Sequence, residues 1–303
     1  MSLITIRRGT RDDLFPAFRV FRASLFGVLI DLKMADRLPT PEETRERYAY
    51  YDDFISHLFE TVDQFWVAEA DGVMVGLARS ILRDGVRQLT EFFVLQEFQS
   101  QGIGRQLLEK AFPSEGAKNR IICASSNMNA IGRYLKAGLR SRTTIHEWTC
   151  KPQLVSVETD LTLQRIEDTP QDIAILNEID RDVIGYARAA DHHWFLKDRR
   201  GDFYLRDGRV VGYSYFGNRA GPIAMLEERD FPAAIAHVES GMTQTVDDVY
   251  DEVILCIPMT NHAALGYVLG RGYKITPFFE YFLTEKPLGR LENYIFTDPI
   301  IIT

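Results

Sequence analysis

Apolar positions in the first half of the chain change between a two-residue and a helical period. Residues 3–7 and 65–70 alternate as strands do, whereas residues 14–29 and 39–62 place apolar side chains on one helical face. Thr40 is a typical N-cap for the second of these helices. The predicted elements are, in order, a strand at 3–7, helices at 14–29 and 39–62, a hairpin of strands at 65–70 and 73–82, a strand at 88–96, a helix at 102–112, a strand at 120–125, a helix at 127–136 and a strand at 139–150.

The second half of the chain repeats much of this order. Its hairpin RDGRVVGYS matches ADGVMVGLA in the first half, and MTNHAALGYVLGRGY matches SSNMNAIGRYLKAGL, with Asn261 aligned to Asn127. We therefore predict a tandem repeat, with domains at 1–152 and 153–303 and a polar linker at 151–159. The predicted elements of the second half are a strand at 161–166, a helix at 170–184, strands at 203–206 and 209–216, a helix at 231–240, a strand at 252–257, a helix at 261–269 and a strand at 278–284.

The composition excludes several classes of protein. The chain has 303 residues and a formal net charge of −8, with 46% hydrophobic and 26% charged residues, which excludes intrinsic disorder. The acidic balance argues against nucleic acid as a partner. No apolar stretch approaches the roughly 18 residues of a membrane span, and no signal peptide is visible. Cys123, Cys150 and Cys256 are typical of buried thiols. We expect a cytoplasmic protein with no membrane partner, and its oligomeric state stays open.

The sequence EFFVLQEFQSQGIGR, residues 91–105, suggests phosphate chemistry. A strand ends in this segment and a helix starts at Gly102. Backbone N–H groups at a helix N-terminus lack intrahelical partners and favour anions. Gly102 and Gly104 let a diphosphate approach the backbone closely. Two other phosphate motifs are excluded, because Leu107 stands where the dinucleotide-binding fingerprint needs its third glycine and no Gly-Lys-Ser/Thr follows.

The sequence QSQGIG, which begins at Gln99, matches the pattern Q-x-x-G-x-G and resembles the pyrophosphate loop of the GNAT superfamily of N-acetyltransferases. A hairpin precedes it, and a helix with the pattern N-x-x-A-x-x-x-Y-x-x-x-G, beginning at Asn127, follows it. The resemblance implies an α/β (α+β) fold of two tandem GNAT-type domains, each with a mixed, mostly antiparallel central sheet flanked by helices. It also implies acetyl-CoA as co-substrate, no metal, and a small-molecule amine as acceptor, with a peptide N-terminus or a lysine as alternatives.

The resemblance also assigns roles by position. Glu91 takes the place of the base, and Tyr134 that of the acid that protonates the leaving thiolate, while the amine attacks the thioester directly. A phenol suits the thiolate because its pKa of about 10 lies near that of the thiol. The N–H of Val94 would face the thioester oxygen. The implied cofactor-binding residues are Phe92, Phe93, Val94, Gln99, Gln101, Gly102, Ile103, Gly104, Arg105 and Asn127.

Each assigned residue also has a purely structural interpretation. The turn at Gly102 fits an ordinary connection between a strand and a helix. Tyr134 fits packing against the sheet, and Glu91 fits a surface carboxylate on a polar strand face. Asn127 is a good helix cap whatever else it does.

Three further segments are interpreted structurally. The sequence DHHW, residues 191–194, suggests a metal, but adjacent histidines rarely face one centre, so we expect no metal site. The charge run at 197–200 is typical of a solvated turn. Tyr50, Tyr51 and Trp66 suggest a substrate cleft or, as we expect, core packing.

The second half departs from the family's pattern at its loop. The sequence RAGPIAMLEERDFPAAI contains no Q-x-x-G-x-G, and Glu227, Glu228 and Asp230 place negative charge near the helix start, where a pyrophosphate would be repelled. Val268 stands where Tyr134 stands in the first half. We expect a degenerate second domain and chemistry in the first. The alternatives are a non-catalytic acyl-CoA-binding sensor or scaffold, and acylation of a hydroxyl or a thiol.

Overall fold

The computed structural model describes residues 3–244 and 252–297. The chain divides into two compact units, one of residues 1–140 with 283–286 and the other of residues 141–282 with 287–303. The division into sequence repeats after residue 152 stays a prediction. Among the described residues, no helix combines the length and the apolar character needed to cross a membrane.

The first unit contains every element predicted between residues 3 and 136. Its elements are β1 (Ile4–Arg8), α1 (Leu14–Asp31), α2 (Pro41–Glu60), β2 (Val62–Ala70), β3 (Val73–Arg83), β4 (Val86–Val94), α3 (Ile103–Ala111), β5 (Asn119–Ser125) and α4 (Met128–Lys136). The strands lie side by side in the order β1-β2-β3-β4-β5. The first four pair antiparallel with their neighbours, and β5 runs parallel to β4.

Local sequence signals explain where several of these elements begin and turn. The Thr40 hydroxyl accepts a hydrogen bond from the N–H of Glu43 at 3.2 Å, and the Glu43 carboxylate accepts one from the N–H of Thr40 at 2.7 Å. This capping box satisfies two backbone donors at the start of α2. The hairpin turns at residues 71–72 and 84–85 have positive φ at both positions, as the twist of a tight hairpin requires.

A short segment from late in the sequence belongs to the first unit. The N–H of Glu285 donates to the carbonyl of Arg120 at 2.9 Å, and Nε of Arg120 lies 2.9 Å from the Glu285 carboxylate. The N–H of Lys286 donates to Oδ1 of Asn119 at 3.0 Å. Residues 283–286 therefore extend the hydrogen bonding of β5.

The second unit repeats the element order of the first between residues 162 and 271, and it has further strands on either side of that range. Its elements are β6 (Arg140–Cys150), β7 (Thr162–Arg165), α5 (Pro170–Val183), α6 (Ala189–Asp198), β8 (Arg199–Arg206), β9 (Arg209–Gly217), β10 (Ile223–Met225), α7 (Phe231–Met242), β11 (Val253–Pro258), α8 (His262–Arg271), β12 (Lys274–Thr284) and β13 (Tyr294–Ile295). One sheet has the order β13-β10-β9-β8-β7, and β6 lies between β12 and β11. A buried apolar core that includes Phe231, Ile235, Leu255, Val268 and Ile295 packs α7, β11, α8 and β13 together.

The prediction of a solvated turn at 197–200 is wrong. α6 ends at Asp198 and β8 begins at Arg199, whose side chain is buried and donates to the carbonyl of Gly221 at 2.5 Å. The sequence pattern misses α6 because Asp191 and His192 lie on its buried face, which removes the apolar stripe of an amphipathic helix. It also misses β10 and β13, which have three and two residues.

Candidate active site

The glycine-bearing turn lies between β4 and α3. Gly102 precedes α3 with φ at +83°, a left-handed conformation that favours glycine. The first intrahelical N–H donor after it is that of Gln106, which bonds the carbonyl of Gly102 at 3.3 Å. The N–H groups of Ile103, Gly104 and Arg105 come earlier in the helix, and such groups have no intrahelical acceptor. They form a short row of donors at the positive end of the helix dipole.

Two glutamines brace this turn against the residues that precede it. Nε2 of Gln99 donates to the carbonyl of Val94 at 3.0 Å, and Nε2 of Gln101 donates to the carbonyl of Glu97 at 3.3 Å. Their side chains therefore hold the turn in place, whereas the sequence predicts ligand contacts for their backbone N–H groups. Both tasks are compatible, because different atoms perform them.

Gly104 has a packing reason for lacking a side chain. A Cβ at this position would lie 3.3 Å from the ring of Phe92 and 3.5 Å from Nη1 of Arg133. The aromatic side chain of β4 thus reaches the first turn of α3, and the close approach holds the turn against the strand.

The strands β4 and β5 pair only at their beginnings. Val86 to Gln88 pair with Asn119 to Ile121, and the described register gives the later residues of β4 no partner on β5. Within β4, Glu91 pairs with Arg79 of β3 while Leu89 pairs with Ser80, so Thr90 is an extra residue in a β-bulge. The bulge and the divergence leave one backbone edge of residues 91–94 without a strand partner.

Glu91 is buried beside an arginine, and its interpretation as a surface carboxylate is wrong. Its exposure is 7% and that of Arg79 is 1%. Nε of Arg79 lies 2.7 Å from Oε2 of Glu91, although the angle is outside that of a hydrogen bond. Burial raises the pKa of the Glu91 carboxyl, and the charge of Arg79 opposes this effect. Glu91 is therefore a desolvated carboxylate beside one cation.

Tyr134 lies on α4 and packs edge-to-face on Phe92, with 6.0 Å between ring centroids. Burial raises the pKa of its phenol, and the nearby charge of Arg133 acts in the opposite direction. In the described part of the chain, no residue forms a hydrogen bond with its hydroxyl. Oδ1 of Asn127 caps α4 by accepting from the N–H groups of Asn129 and Ala130 at 3.1 and 3.2 Å. Tyr134 thus packs against the sheet and Asn127 caps its helix, as their structural interpretations predict. The raised pKa keeps the Tyr134 phenol protonated, and its hydroxyl is available to a ligand.

Arg133 is a site residue that the sequence pattern does not predict. Its guanidinium lies next to Gly104 at the start of α3, its side chain is half-buried, and it forms no ion pair within the described residues. Arg105, predicted at this rim, instead is 77% exposed and lies 3.8 Å from Glu109. Because Arg133 is on another helix, only the packing of α4 near α3 reveals it.

The two adjacent histidines that suggest a metal site, His192 and His193, have different surroundings. His192 is buried between Asp180 at 2.8 Å and the hydroxyl of Tyr215 at 3.0 Å, whereas the exposed His193 contacts Asp168 at 2.6 Å. The adjacent histidines therefore serve different partners.

The prediction of core packing is wrong for all three aromatic residues, of which Tyr51 is half-buried. Tyr50 is 39% exposed, and Trp66 is half-buried, with Arg8 and Lys110 over its ring. Of the cysteines, Cys123 and Cys256 are buried as predicted, whereas Cys150 is half-buried.

Comparisons with known proteins agree with this geometry. A family model described as the acetyltransferase (GNAT) family matches residues 30–139. An uncharacterized N-acetyltransferase of Archaeoglobus fulgidus is 34% identical over 122 residues, which cover 38% of this chain and 76% of the relative. The chain therefore belongs to the acetyltransferase (GNAT) family, and the predicted enzyme class of N-acetyltransferase is confirmed.

Solved structures extend the likeness to the whole fold. A crystal structure from Pyrococcus horikoshii has a TM-score of 0.69 and 15% identity, and the match covers 96% of this chain and 92% of that one. A tandem GNAT protein from the clavulanic acid biosynthesis pathway has a TM-score of 0.60 and 13% identity, with 94% and 99% covered. At these identities the likeness concerns the fold alone, and it confirms the predicted fold class.

Proposed function

We propose that this chain transfers an acetyl group from acetyl-CoA to the amine of a small molecule, with the chemistry in the first unit. The observation that carries the proposal is the juxtaposition around Phe92. Its ring packs on Tyr134 and lies 3.3 Å from the position that a Cβ of Gly104 would take, so a phosphate-binding helix start, a strand edge and a phenol meet around one residue.

The residues of the first unit fit an acyl-CoA. The pantetheine arm has amide groups that can pair with the edge of Phe92 to Val94, in the way that a peptide adds to a sheet. The N–H groups of Ile103 to Arg105 suit the pyrophosphate, and Arg133 adds a positive charge beside them. Arg133 is a natural member of this set because no carboxylate of the described chain engages it.

Two side chains divide the proton transfers. Glu91 accepts the proton that the amine loses as it attacks, because burial raises the pKa of its carboxyl towards the range of a useful base. Tyr134 donates a proton to the departing thiolate, and its raised pKa keeps it protonated until that step. The N–H of Val94 stabilises the charge that develops on the thioester oxygen. No covalent acyl-enzyme is needed, since the amine is the nucleophile.

The test is an assay of thiol release from acetyl-CoA by the full chain, over a panel of primary amines, peptides with a free N-terminus and lysine derivatives. The proposal expects at least one small amine to release CoA in a one-to-one ratio with acetylated product. Binding of acetyl-CoA without transfer to any member of the panel would favour the sensor or scaffold function instead.

A further inference from the structure

The second unit contains a counterpart of the divergent strand pair. β10 follows the hairpin β8–β9 and precedes α7, as β4 follows β2–β3 and precedes α3. β11 precedes α8, as β5 precedes α4. The gap between β10 and β11 therefore corresponds, by element order, to the gap between β4 and β5. In the first unit this is where the proposed function seats the pantetheine arm.

A segment of the chain itself fills this gap in the second unit. On one side β13 pairs antiparallel with β10, with Ile295 opposite Ile223 and Tyr294 opposite Ala224. On the other side the N–H of Phe296 donates to the carbonyl of Cys256 in β11 at 2.9 Å. The segment Tyr294–Thr297 thus uses both edges that a pantetheine arm would need.

Side chains lock the segment at both ends. Asn261, the counterpart of Asn127, caps α8 through Oδ1, and its Nδ2 donates to the carbonyl of Tyr294 at 3.2 Å. Nδ2 of Asn293 donates to the carbonyl of Met225 at 2.7 Å. The hydroxyl of Thr297 donates to the carbonyl of Ala220 at 3.2 Å. The side chain at the start of α8 is therefore committed to the backbone of this segment.

A buried ionic network anchors Tyr294. Nη2 of Arg188 donates to its hydroxyl at 2.6 Å, and Nε of Arg188 lies 2.7 Å from Asp180. Tyr213 donates to Asp180 at 2.5 Å. Tyr294 and Ile295 are 0% exposed and Phe296 is 1% exposed. Removing the segment would expose this apolar surface and take one hydrogen-bond partner from the buried Arg188, which keeps Asp180 and Tyr213, so opening the gap is unfavourable.

The residue before α7, beside the gap, is a carboxylate that pairs with an arginine and does not cap the helix. Asp230 precedes α7 and pairs with Arg206 at 2.6 Å, and Arg206 also contacts Asp160 at 2.7 Å. A carboxylate thus precedes α7 where Gly102 precedes α3. Asp160, Glu227 and Asp230 share Arg206, so a pyrophosphate would meet an excess of negative charge here.

We propose that Tyr294–Thr297 is a built-in substitute for the pantetheine arm, which closes the second unit to acyl-CoA, so that each chain binds one acetyl-CoA. The inference rests on the proposed function for the claim that the first unit binds the cofactor. The claim that the gap between β10 and β11 is filled and does not open is independent of the proposed function.

The test combines hydrogen exchange with calorimetry on the full chain. Without ligand, the amide of Phe296 should exchange at least about 100-fold more slowly than in an unstructured reference, because opening the gap requires breaking the core. With acetyl-CoA, the stoichiometry should be one, and protection should rise in residues 91–105 and stay unchanged in residues 253–258 and 294–297.

One variant and its control test whether the cofactor binds at the start of α3. Gly104→Asp should abolish all acetyl-CoA binding, whereas Gly270→Asp, at a position in α8 where a Cβ meets no atom, should leave it unchanged. Two molecules per chain, residual tight binding in a folded Gly104→Asp protein, or rapid exchange at Phe296 would overturn the inference. Absence of any binding together with slow exchange at Phe296 would instead contradict the proposed function and support the closed gap.

Discussion

Nε of Arg79 lies 2.7 Å from Oε2 of Glu91 in the interior of the first unit, one strand apart across a β-bulge. An isolated buried carboxylate would be neutral, and the arginine keeps this one within reach of ionisation. The pair therefore sets the proton affinity of the proposed base, and the next two predictions depend on it.

Glu91→Gln should lower kcat by about 100- to 10,000-fold, because the amide cannot accept the proton of the attacking amine. The affinity for acetyl-CoA should change by less than about threefold, since Glu91 makes no proposed cofactor contact. Steady-state kinetics and calorimetry measure the two quantities. Since the change leaves Arg79 without its carboxylate, circular dichroism should first show that the variant is folded.

The pH profile gives an independent test of the base. Turnover requires ionised Glu91, so it should fall as the pH drops through a pKa above the ordinary value for glutamate. Arg79→Met removes the charge that opposes the rise, so the acidic limb should move to higher pH. An acidic limb that stays in place in a folded Arg79→Met protein would reject Glu91 as the base.

Tyr134→Phe should also lower kcat by about 100-fold or more and leave acetyl-CoA affinity nearly unchanged, because it removes the proton donor but keeps the ring against Phe92. Acetyl thioesters whose thiols have a lower pKa should partly restore the rate, since such leaving groups need less help from an acid. An equal loss with all thioesters would point to a structural role.

Arg133→Gln should weaken acetyl-CoA binding by about tenfold or more, which corresponds to the loss of one charge-assisted hydrogen bond. Binding of acetyl-pantetheine, which lacks the diphosphate, should be unaffected. Lys136→Gln is the matched control, because Lys136 is an exposed cation on the same helix. Equal losses of affinity in the two variants would show that Arg133 acts only through the general electrostatic field, and would reject a direct contact with the diphosphate.

Gly104→Ala should stabilise the protein less than an unhindered Gly→Ala change in a helix or destabilise it by up to about 1 kcal/mol, because the added Cβ would lie 3.3 Å from the Phe92 ring, which must shift by a few tenths of an ångström. Gly132→Ala, where a Cβ meets no atom within 4 Å in the interior of α4, should stabilise it by about 0.5–1 kcal/mol. Denaturant unfolding of both variants compares the two effects. Stabilisation by Gly104→Ala as large as that by Gly132→Ala would show that the turn relaxes easily.

Much of the fold follows from local patterns in the sequence. Thr40 begins α2 and Asn127 begins α4 because capping depends on neighbouring residues alone. Asp71 and Gly72 predict their hairpin for the same reason. α6 escapes prediction because its buried face carries two polar residues, Asp191 and His192, and the partners of His192 lie on other elements.

The candidate site also contains some features that local sequence predicts and others that depend on distant parts of the chain. The turn at Gly102 can be predicted because its chemistry is local, whereas the pairing of Arg79 with Glu91 depends on a bulge register that no periodicity encodes. Arg133 reaches α3 only through packing. The segment Tyr294–Thr297 fills a gap between strands that precede it by about 40 to 70 residues, and its two-residue strand carries no period.

A crystal structure of the full chain with acetyl-CoA tests the central claim most directly. The account predicts one molecule per chain, with its pyrophosphate on the N–H groups of residues 103–105, its pantetheine arm along Phe92 to Val94 and its sulfur within hydrogen-bond reach of the Tyr134 hydroxyl. A cofactor seated elsewhere, or a sulfur far from Tyr134, would contradict it.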